Sequence, residues 1–521
     1  MRINRRGFLA GTLPLGALMM HGVEAFAAAS PKGLHFGRPQ PFDFNSLRHL
    51  AKALSAKPYP AENPPAPDLV GAIDFDVSQK IRFRPELALW QSGPQTFPIR
   101  FFHLNRYVGL PVKIHIVFDG SAREILYAPS VFDYDGTGLD KKLPSDLGFS
   151  GFRVMNGHSV ESDWLAFQGA SYFRSSGSED QYGASARGIA VNTALSTREE
   201  FPRFTSFWLD EAPKTNTLTI FALLEGPSLT GAYRIKASRG DGAVTEIHAD
   251  LFTRADIQRL GIAPLTSMYW YSESNSRQGS DWRPEVHDSD GLALWTGKGE
   301  RIWRPLIDPP SIQTNSFLDV NPKGFGLLQR DRDFDHYQDD GAFYNRRPSL
   351  WVEPVGNWGE GAVQLVEIPT DDEIHDNIVA YWQPKEPVAS GSSYAIDYRI
   401  HWRNSEPDFP STLARVVATR TGRGGVPGRA LPRNTHKFVI DFEGGILSEI
   451  APRYDIMPVT TLSRGKAENA YTIKIVGTKR WRAFFDVGLE GSQPLDMRCF
   501  LRLGDKTLTE TWLYQFFPPI A

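Results

Sequence analysis

The chain has 521 residues, of which 57 are Lys or Arg and 60 are Asp or Glu, and its formal net charge at pH 7 is −3. Acidic and basic residues are interspersed along it, so the sequence predicts neither nucleic acid nor an anionic membrane as a partner. The only cysteine, Cys499, excludes an internal disulfide, and its alternating apolar neighbours predict a buried strand residue.

The N-terminus has the features of an export leader. Arg5 and Arg6 precede an apolar stretch from Phe8 to Met20, and the small-residue segment Ala25-Phe26-Ala27 follows. An arginine pair directly before apolar residues is typical of the twin-arginine route, although an ordinary secretory leader has the same order of segments. The apolar stretch is shorter than the roughly 20 residues that a spanning helix needs. We therefore predict a twin-arginine signal peptide at residues 1–27 and a periplasmic mature chain.

Most of the remaining chain alternates between apolar and polar residues with the period of a β-strand. The pattern is clearest at residues 112–118, 218–223, 232–237 and 244–249. One amphipathic helix is predicted near the start of the mature chain, with Asn45 as its N-cap and an apolar face made of Leu47, Leu50, Ala51 and Leu54. The chain is therefore predicted to be mainly β, with this helix covering a sheet end.

Two β-sandwich domains are predicted. Residues 383–391 combine prolines, charges and small residues, which is typical of a linker. Further strands are predicted after it at 394–402, 437–442, 471–476, 481–487, 496–503 and 507–514, at the spacing of an immunoglobulin-like sandwich. We therefore expect a greatly enlarged β-sandwich at residues 35–383, a linker at 384–392 and an immunoglobulin-like domain at 393–521.

Acidic clusters in the last third of the large domain are the candidates for chemistry. They lie at residues 287–290, 331–340 and 371–377, each beside aromatic segments. Cleavage of a glycosidic bond uses one carboxylic acid to protonate the leaving oxygen and one carboxylate to activate water, so paired acids suggest a glycosidase. Structural ion pairs are the alternative, because arginines are interleaved with these acids: Arg330, Arg332, Arg346 and Arg347.

Motifs for other chemistries are missing from the sequence. It has no Gly-x-Ser-x-Gly elbow and no His-Glu-x-x-His motif, which disfavours acyl transfer and zinc hydrolysis. Residues 331–335 resemble the start of a calcium loop, but His336 replaces the required Gly and Ala342 replaces the required Glu. We expect no metal and interpret His336 as a structural histidine.

Four residues stand out individually. Asp376 precedes a predicted strand, so it lies where a loop enters a sheet; a turn-capping role is the alternative. Tyr344, Trp351 and Trp382 are predicted to stack on sugar, and filling the core is the alternative for all three.

Several longer segments carry a close resemblance to a known family. They are DLGFSGFR at 146–153, GASYFR at 169–174, YGASARG at 182–188, IAPLTSM at 262–268, NPKGFGLLQ at 321–329, RPSLWVEP at 347–354 and ETWLYQ at 510–515. On these segments the chain resembles the osmoregulated periplasmic glucan biosynthesis proteins of types G and D. The twin-arginine leader favours type D, because type G members resemble ordinary secretory substrates.

The resemblance implies a galactose-mutarotase-like large sandwich, an immunoglobulin-like C-terminal sandwich and a role in making periplasmic β-1,2-linked glucans. Members resemble anomer-inverting endo-β-1,2-glucanases, and some relatives resemble inverting transglycosylases that close a β-1,2-glucan with an α-1,6 link. Hydrolysis, cyclising transfer and non-catalytic binding of glucan as a scaffold are therefore the open functions. No cofactor is implied. A membrane glucosyltransferase and a second copy of the chain, as a homodimer, are left open as partners.

The same resemblance assigns roles to single residues. Asp376, an Asp before Asn-Ile at a strand entry, matches the family's general acid. Asp288, the first Asp of His-Asp-Ser-Asp, matches its general base, which draws the proton from water through further waters. Tyr344 and Glu373 match substrate-contacting positions.

Two segments depart from the better-known members, residues 272–281 and residues 371–375, and we call them the divergent loops. Both are expected to border the cleft. Hydrolysis needs an ordered water path to the base, whereas transglycosylation needs that path blocked, so these loops leave the final acceptor open.

Overall fold

The structure is a computed structural model that describes residues 33–92, 96–211, 215–426, 428–430, 432, 434–489 and 491–518. The predicted signal peptide at residues 1–27 lies outside this part of the chain. Within it the regular structure is mainly β, which confirms the predicted class. No helix among the described residues is long and apolar enough to cross a membrane.

The strands are numbered in chain order. The first half of the chain contains β1 (His35–Phe36), β2 (Gln40–Pro41), β3 (Arg82–Phe83), β4 (Ile99–Phe102), β5 (Lys113–Phe118), β6 (Ser121–Leu126), β7 (Phe132–Asp133), β8 (Gly151–Met155), β9 (Asp163–Gln168), β10 (Tyr172–Ser175), β11 (Ser185–Arg187), β12 (Ala190–Val191), β13 (Arg203–Glu211), β14 (Thr217–Glu225), β15 (Leu229–Gly240), β16 (Gly242–Thr253) and β17 (Leu260–Ser267).

The second half contains β18 (Tyr269–Tyr271), β19 (Val286–His287), β20 (Gly291–Trp295), β21 (Arg301–Pro305), β22 (Gln313–Val320), β23 (Gly324–Leu328), β24 (Ser349–Val355), β25 (Glu360–Glu367), β26 (Ile378–Pro384), β27 (Ser393–Arg403), β28 (Arg415–Arg423), β29 (Thr435–Glu443), β30 (Ile456–Leu462), β31 (Ala467–Lys474), β32 (Trp481–Gly488), β33 (Leu495–Leu503), β34 (Lys506–Thr507) and β35 (Thr511–Phe516). The α-helices are α1 (Phe44–Ser55), α2 (Pro67–Gly71) and α3 (Phe75–Ser78). Short 3₁₀ helices lie at Pro85–Leu87, Pro129–Val131, Leu139–Lys141, Ser276–Gln278, Phe334–His336, Tyr344–Arg346 and Ile446–Glu449.

Two facing sheets form the large sandwich. Sheet A has the order β6-β5-β13-β14-β15-β16-β27-β24-β23-β20-β21 and is antiparallel except for the β5–β13 pair. Sheet B is antiparallel, in the order β22-β25-β26-β17-β11-β10-β9-β8-β4. Phe152 and Phe167 of sheet B contact Phe207 of sheet A, with ring centroids 5.1 and 5.6 Å apart. Interlocked aromatic rings of this kind make the core between the sheets.

A smaller sandwich follows at the C-terminus. Sheet C contains β30, β33 and β35, and sheet D has the order β28-β29-β32-β31. Phe438 and Phe485 of sheet D pack against Trp512 of sheet C. Cys499 on β33 is fully buried in this core, as predicted, and burial raises the pKa of its thiol to about 12. Sheet C continues sheet A, because β35 pairs in parallel with β21.

The strand predicted to open the C-terminal domain belongs to the large sandwich instead. β27 covers the predicted segment 394–402, but it pairs with β16 on one side and β24 on the other, inside sheet A. The predicted linker at 384–392 therefore connects β26 of sheet B to β27 of sheet A. Proline and small residues mark any exposed loop, so composition does not distinguish a loop between sheets from a linker between domains.

Helix α1 begins earlier than predicted and covers a different surface. Asp43 is its N-cap, and it forms a capping box with Ser46, whereas Asn45 lies inside the helix. Leu47 and Ala51 pack against residues of β13 to β16, including Trp208, on the outer face of sheet A. The helix therefore covers a sheet face and not a sheet end.

Candidate active site

Both predicted catalytic acids are anchored to the adjacent residues Met268 and Tyr269. Asp288 follows β19 directly, and its backbone N–H donates to the carbonyl of Met268 at 2.8 Å. Asp376 precedes Asn377, whose side-chain amide accepts from the Tyr269 N–H and donates to the Tyr269 carbonyl, both at 2.8 Å. An Asn amide can pair with a backbone unit in this way because it carries both an acceptor and donors. The fold thus brings Asp288 and Asp376 to one site.

Arg347 is the counter-ion of Asp288. Its Nη1 donates to Asp288 Oδ1, and the two side chains are 16% and 7% exposed. The guanidinium carbon lies 4.1 Å from the centroid of the Tyr344 ring, and Nε and Nη2 donate to the carbonyl of Ala342. Gly183 leaves room for this side chain, since a Cβ there would lie 2.8 Å from the Cβ of Arg347. A guanidinium held on several sides fixes the direction of the carboxylate it binds.

The Asp376 carboxyl has different electrostatic surroundings. Its side chain is exposed to solvent, but many protein atoms lie near it and replace part of the water that would otherwise surround the carboxyl group. This desolvation is the largest influence on the pKa of Asp376, the negative charge of Asp288 adds to it, and both raise that pKa. Three arginines oppose the rise: Arg174, Arg187 and Arg347. The raised pKa favours a proton on Asp376, as a general acid requires.

Arg174 and Arg187 are site residues that no individual sequence prediction identified. Arg187 is buried, its guanidinium carbon lies 4.8 Å from the Tyr172 ring centroid and 5.3 Å from that of Phe201, and it donates to Glu199 at 2.8 Å. Arg174 is exposed and makes no ion pair with any residue in the described part of the chain. Their only sequence signal was their place in segments that carry the family resemblance.

Arg283 joins the two divergent loops. It donates to Glu373 at 2.9 and 3.1 Å and to Asp281 at 2.9 Å, and also to Asp339 at 2.7 Å. These hydrogen bonds raise the pKa of Arg283, and the bond to Asp281 has the largest effect. Burial acts in the opposite direction but is outweighed, so Arg283 stays charged. The Tyr344 hydroxyl donates to Glu373 as well. Arg283 therefore links Glu373 of one divergent loop to Asp281 of the other, and Tyr344 joins this group through its bond to Glu373.

His287 is another site residue that sequence reasoning did not single out. It lies fully buried beside Asp288, with Nδ1 2.9 Å from Gln329 Oε1 and Nε2 3.0 Å from Glu285 Oε2. Burial acts against the charged ring, but the hydrogen bond and charge of Glu285, with other nearby carboxylates, outweigh it and raise the pKa of His287 to about 9. A charged ring donates from both nitrogens, which immobilises the residue preceding the predicted base.

The aromatic predictions need correction. Trp351 is 2% exposed and Trp382 is 0% exposed, and they lie in the cores of the small and large sandwiches. A ring without exposed faces cannot stack on a sugar, so the prediction was wrong for both. Tyr344 is also 2% exposed, and its ring lies under Arg347. It can contribute through its hydroxyl and as a support for Arg347, but not as a stacking platform.

One cluster among the described residues has the composition of a metal site. Carboxylate and imidazole atoms of Glu285, Asp331 and His336 lie within 4.8 Å of one another. His336 Nδ1 is 2.5 Å from Asp331 Oδ2, and Glu285 is hydrogen-bonded to His287. A metal ion would have to compete with these bonds, and His336 has the structural contact predicted for it.

Comparisons with known proteins bear on the whole chain. A chain of Ralstonia nicotianae described as "Glucans biosynthesis protein D 2" is 50% identical, over 99% of this chain and 98% of its own length. Chains described as "Glucans biosynthesis protein D" are 47% identical in Stenotrophomonas maltophilia and 46% identical in Xanthomonas oryzae, over 100% of this chain and 98–99% of theirs.

A solved structure described as "Polysaccharide Lyase BACCELL_00875" aligns with 70% of this chain and 44% of its own at 11% identity and a TM-score of 0.24, which is too low to support an inference. The family model "Periplasmic glucan biosynthesis protein, MdoG" matches residues 42–516. This match confirms the family resemblance and the predicted periplasmic location. The chain belongs to the MdoG family of periplasmic glucan biosynthesis proteins, and its relatives there include glucans biosynthesis proteins D.

Proposed function

We propose that the chain is an anomer-inverting endo-β-1,2-glucanase that shapes the backbone of a periplasmic glucan. The observation that carries this proposal is the pair of acids at Met268 and Tyr269, in which Asp288 is bound to Arg347 and Asp376 has a raised pKa. Two carboxyl groups in contrasting environments are what a glycosidase uses as base and acid. The β-1,2 linkage is inferred from the family resemblance. A galactose-mutarotase-like large sandwich and an immunoglobulin-like small one are part of the same proposal.

In the proposed reaction Asp376 donates its proton to the glycosidic oxygen as the bond to the anomeric carbon breaks. Asp288 accepts a proton from the water that attacks the opposite face, which inverts the anomer. The negative charge of Asp288 is one of the influences that raise the pKa of Asp376. This influence favours the protonated form of Asp376, which a general acid needs.

Cyclising transglycosylation is the second candidate. The observation that favours it is the link through Arg283, which holds the divergent loops together beside the acids. Loops held over a site exclude water, and a sugar hydroxyl then becomes the acceptor. Both candidates use Asp376 as the acid, so they differ in products and not in the first step.

The test is incubation of the purified chain, without residues 1–27, with linear β-1,2-glucan. Reducing-end oligosaccharides mean hydrolysis, ring products lacking the mass of water mean transfer, and saturable binding without any change in chain length means a scaffold. Nuclear magnetic resonance of the first products reports whether the new anomeric centre is inverted.

Asp376→Asn is expected to lower the rate by about 10²–10⁴-fold, the usual contribution of a general acid. Asp371→Asn is the matched control, because Asp371 is an exposed acid in the adjoining divergent loop. Full activity in Asp376→Asn, or an equal loss in Asp371→Asn, would show that the acid is assigned wrongly.

A further inference from the structure

Arg330 lies between the predicted base and the C-terminal sandwich. Its guanidinium donates to both carboxylate oxygens of Glu510, at 2.5 and 3.2 Å, and to Glu406 at 3.0 Å. Glu510 directly precedes β35, and its carboxylate also accepts from the backbone N–H of Val416 on β28 at 2.7 Å. The side chains of Glu510 and Glu406 are 1% and 2% exposed. Arg330 is therefore held by Glu510, next to β35 of the small sandwich, and by Glu406, in the segment that connects β27 to β28.

The backbone of Arg330 has a second contact, on the side of the active site. The N–H groups of Arg330 and Asp331 donate to the carboxylate of Asp290, at distances from 2.9 to 3.1 Å. Asp290 is half-buried, and its own backbone N–H donates to the carbonyl of Leu328 at 2.9 Å. It follows Asp288 in the same turn, with only Ser289 between them. A shift of Arg330 therefore reaches the turn that carries Asp288.

This arrangement depends on charge balance. Arg330 stacks on Trp303, with its guanidinium carbon 3.8 Å from the ring centroid, and it is 11% exposed. The charges of Glu510 and Glu406 outweigh the effect of burial and raise the pKa of Arg330, so it is charged. Removing one partner of a buried pair leaves an uncompensated charge, and the remaining partner then moves or becomes hydrated. The backbone of residues 330–331 would move with it.

We propose that Glu510 is a positioning residue for the base Asp288. Glu510 holds the side chain of Arg330. The backbone N–H groups of Arg330 and Asp331 in turn hold the Asp290 carboxylate, and this contact positions the turn that carries Asp288. The C-terminal sandwich is then part of the catalytic unit. This role rests on the proposed function for its kinetic consequences, but the position of Asp288 can be measured without any activity.

The test is Glu510→Gln, which removes the charge and keeps an acceptor for Val416. Asp441→Asn is the control: Asp441 is an equally buried carboxylate of the same sandwich, and among the described residues its partners Arg482 and Arg420 form ion pairs with Asp441 and with no residue of the active-site turns. We expect both variants to be less stable. Only Glu510→Gln should lower kcat, by about 10-fold or more, since displacements near 1 Å can cost 10²-fold. KM for linear β-1,2-glucan should change little.

Two further measurements separate this role from general destabilisation. Glu406→Gln removes one hydrogen bond from Arg330 and should give a smaller loss of kcat, and it serves if Glu510→Gln does not fold. Glu510→Gln combined with Asp290→Asn should be no slower than Asp290→Asn alone, because both act through the same contact.

Crystal structures of the parent chain, Glu510→Gln, Glu406→Gln and Asp441→Asn complete the test. The Asp288 carboxylate should shift only in the variants at Glu510 and Glu406. An unmoved Asp288, or equal kcat losses in Glu510→Gln and Asp441→Asn, would overturn the proposal. If the parent chain does not cleave or transfer β-1,2-glucan, the proposed function fails, whereas the position of Asp288 still decides the role of Glu510.

Discussion

Arg347 offers the sharpest test of how the predicted base is held. Its guanidinium is the ion-pair partner of Asp288, and it rests on the ring of Tyr344. Arg347→Gln removes the charge and leaves the Asp288 carboxylate without its counter-ion. Arg347→Lys keeps the charge but loses the planar fork that binds Asp288 and Ala342 together.

The size of the effect follows from burial. Breaking a buried ion pair by removing one partner costs about 3–5 kcal/mol. Arg347 is 16% exposed and Asp288 is 7% exposed, so solvent reaches the pair slightly and we expect Arg347→Gln to lower the free energy of unfolding by about 3 kcal/mol. General base catalysis is worth about 10²–10⁴-fold, and a misdirected base should lose at least about 10²-fold in kcat. Arg347→Lys should lose less.

The pH dependence of kcat/KM tests the role of Arg347 independently, through the direction in which its alkaline limb moves. Arg347 is one of the groups that lower the pKa of Asp376, so its removal should raise that pKa further. The acid works when protonated, and activity falls as pH rises through its pKa. The alkaline limb of kcat/KM should therefore move to higher pH in Arg347→Gln.

The assay combines reducing-end release from linear β-1,2-glucan with urea unfolding. Arg346→Gln is the control, because Arg346 is the same residue type at the next position, exposed and stacked on Phe343 at 4.5 Å. Its kcat should equal that of the parent, with a stability change within about 0.5 kcal/mol. Parent-like kcat in Arg347→Gln, or an alkaline limb that moves down, would refute this account of the base.

Three further outcomes are expected. Arg174→Gln removes a charge that lowers the pKa of Asp376, so the alkaline limb of kcat/KM should move up; an unchanged limb would exclude that influence. Arg283→Gln removes the ion pair that links Glu373 to the other divergent loop, and it should raise KM for glucan by about 10-fold through a loss of roughly 1.4 kcal/mol in binding, measured by steady-state kinetics; an unchanged KM would contradict the link. Trp382→Ala should cost about 3–5 kcal/mol in urea unfolding and leave KM of the folded fraction unaltered, whereas a selective rise in KM would restore the sugar-stacking prediction.

The strand predictions that depend on a local pattern succeeded, whereas the placement of a strand, which depends on contacts between distant segments, failed. The alternation at residues 218–223 and 244–249 correctly predicts β14 and β16, because side-chain alternation is a property of a single strand. Membership of a sheet is decided by pairing with distant strands, so the alternation within β27 could not place it between β16 and β24. The N-cap of α1 was misplaced for a smaller reason, since Asp43 and Asn45 are both capping residues and only the bond to Ser46 distinguishes them.

The candidate site shows the same division. Strand alternation was sufficient to predict the β class, and motifs of contiguous residues were sufficient to identify the family and to propose the two acids. The folded structure was needed to show that Arg347, 59 residues away, is the counter-ion of Asp288, and that Trp382 is buried where it cannot contact a substrate. Burial and ion pairing depend on which segments meet in space. A local sequence pattern does not determine which segments come into contact, because that depends on the packing of the whole chain.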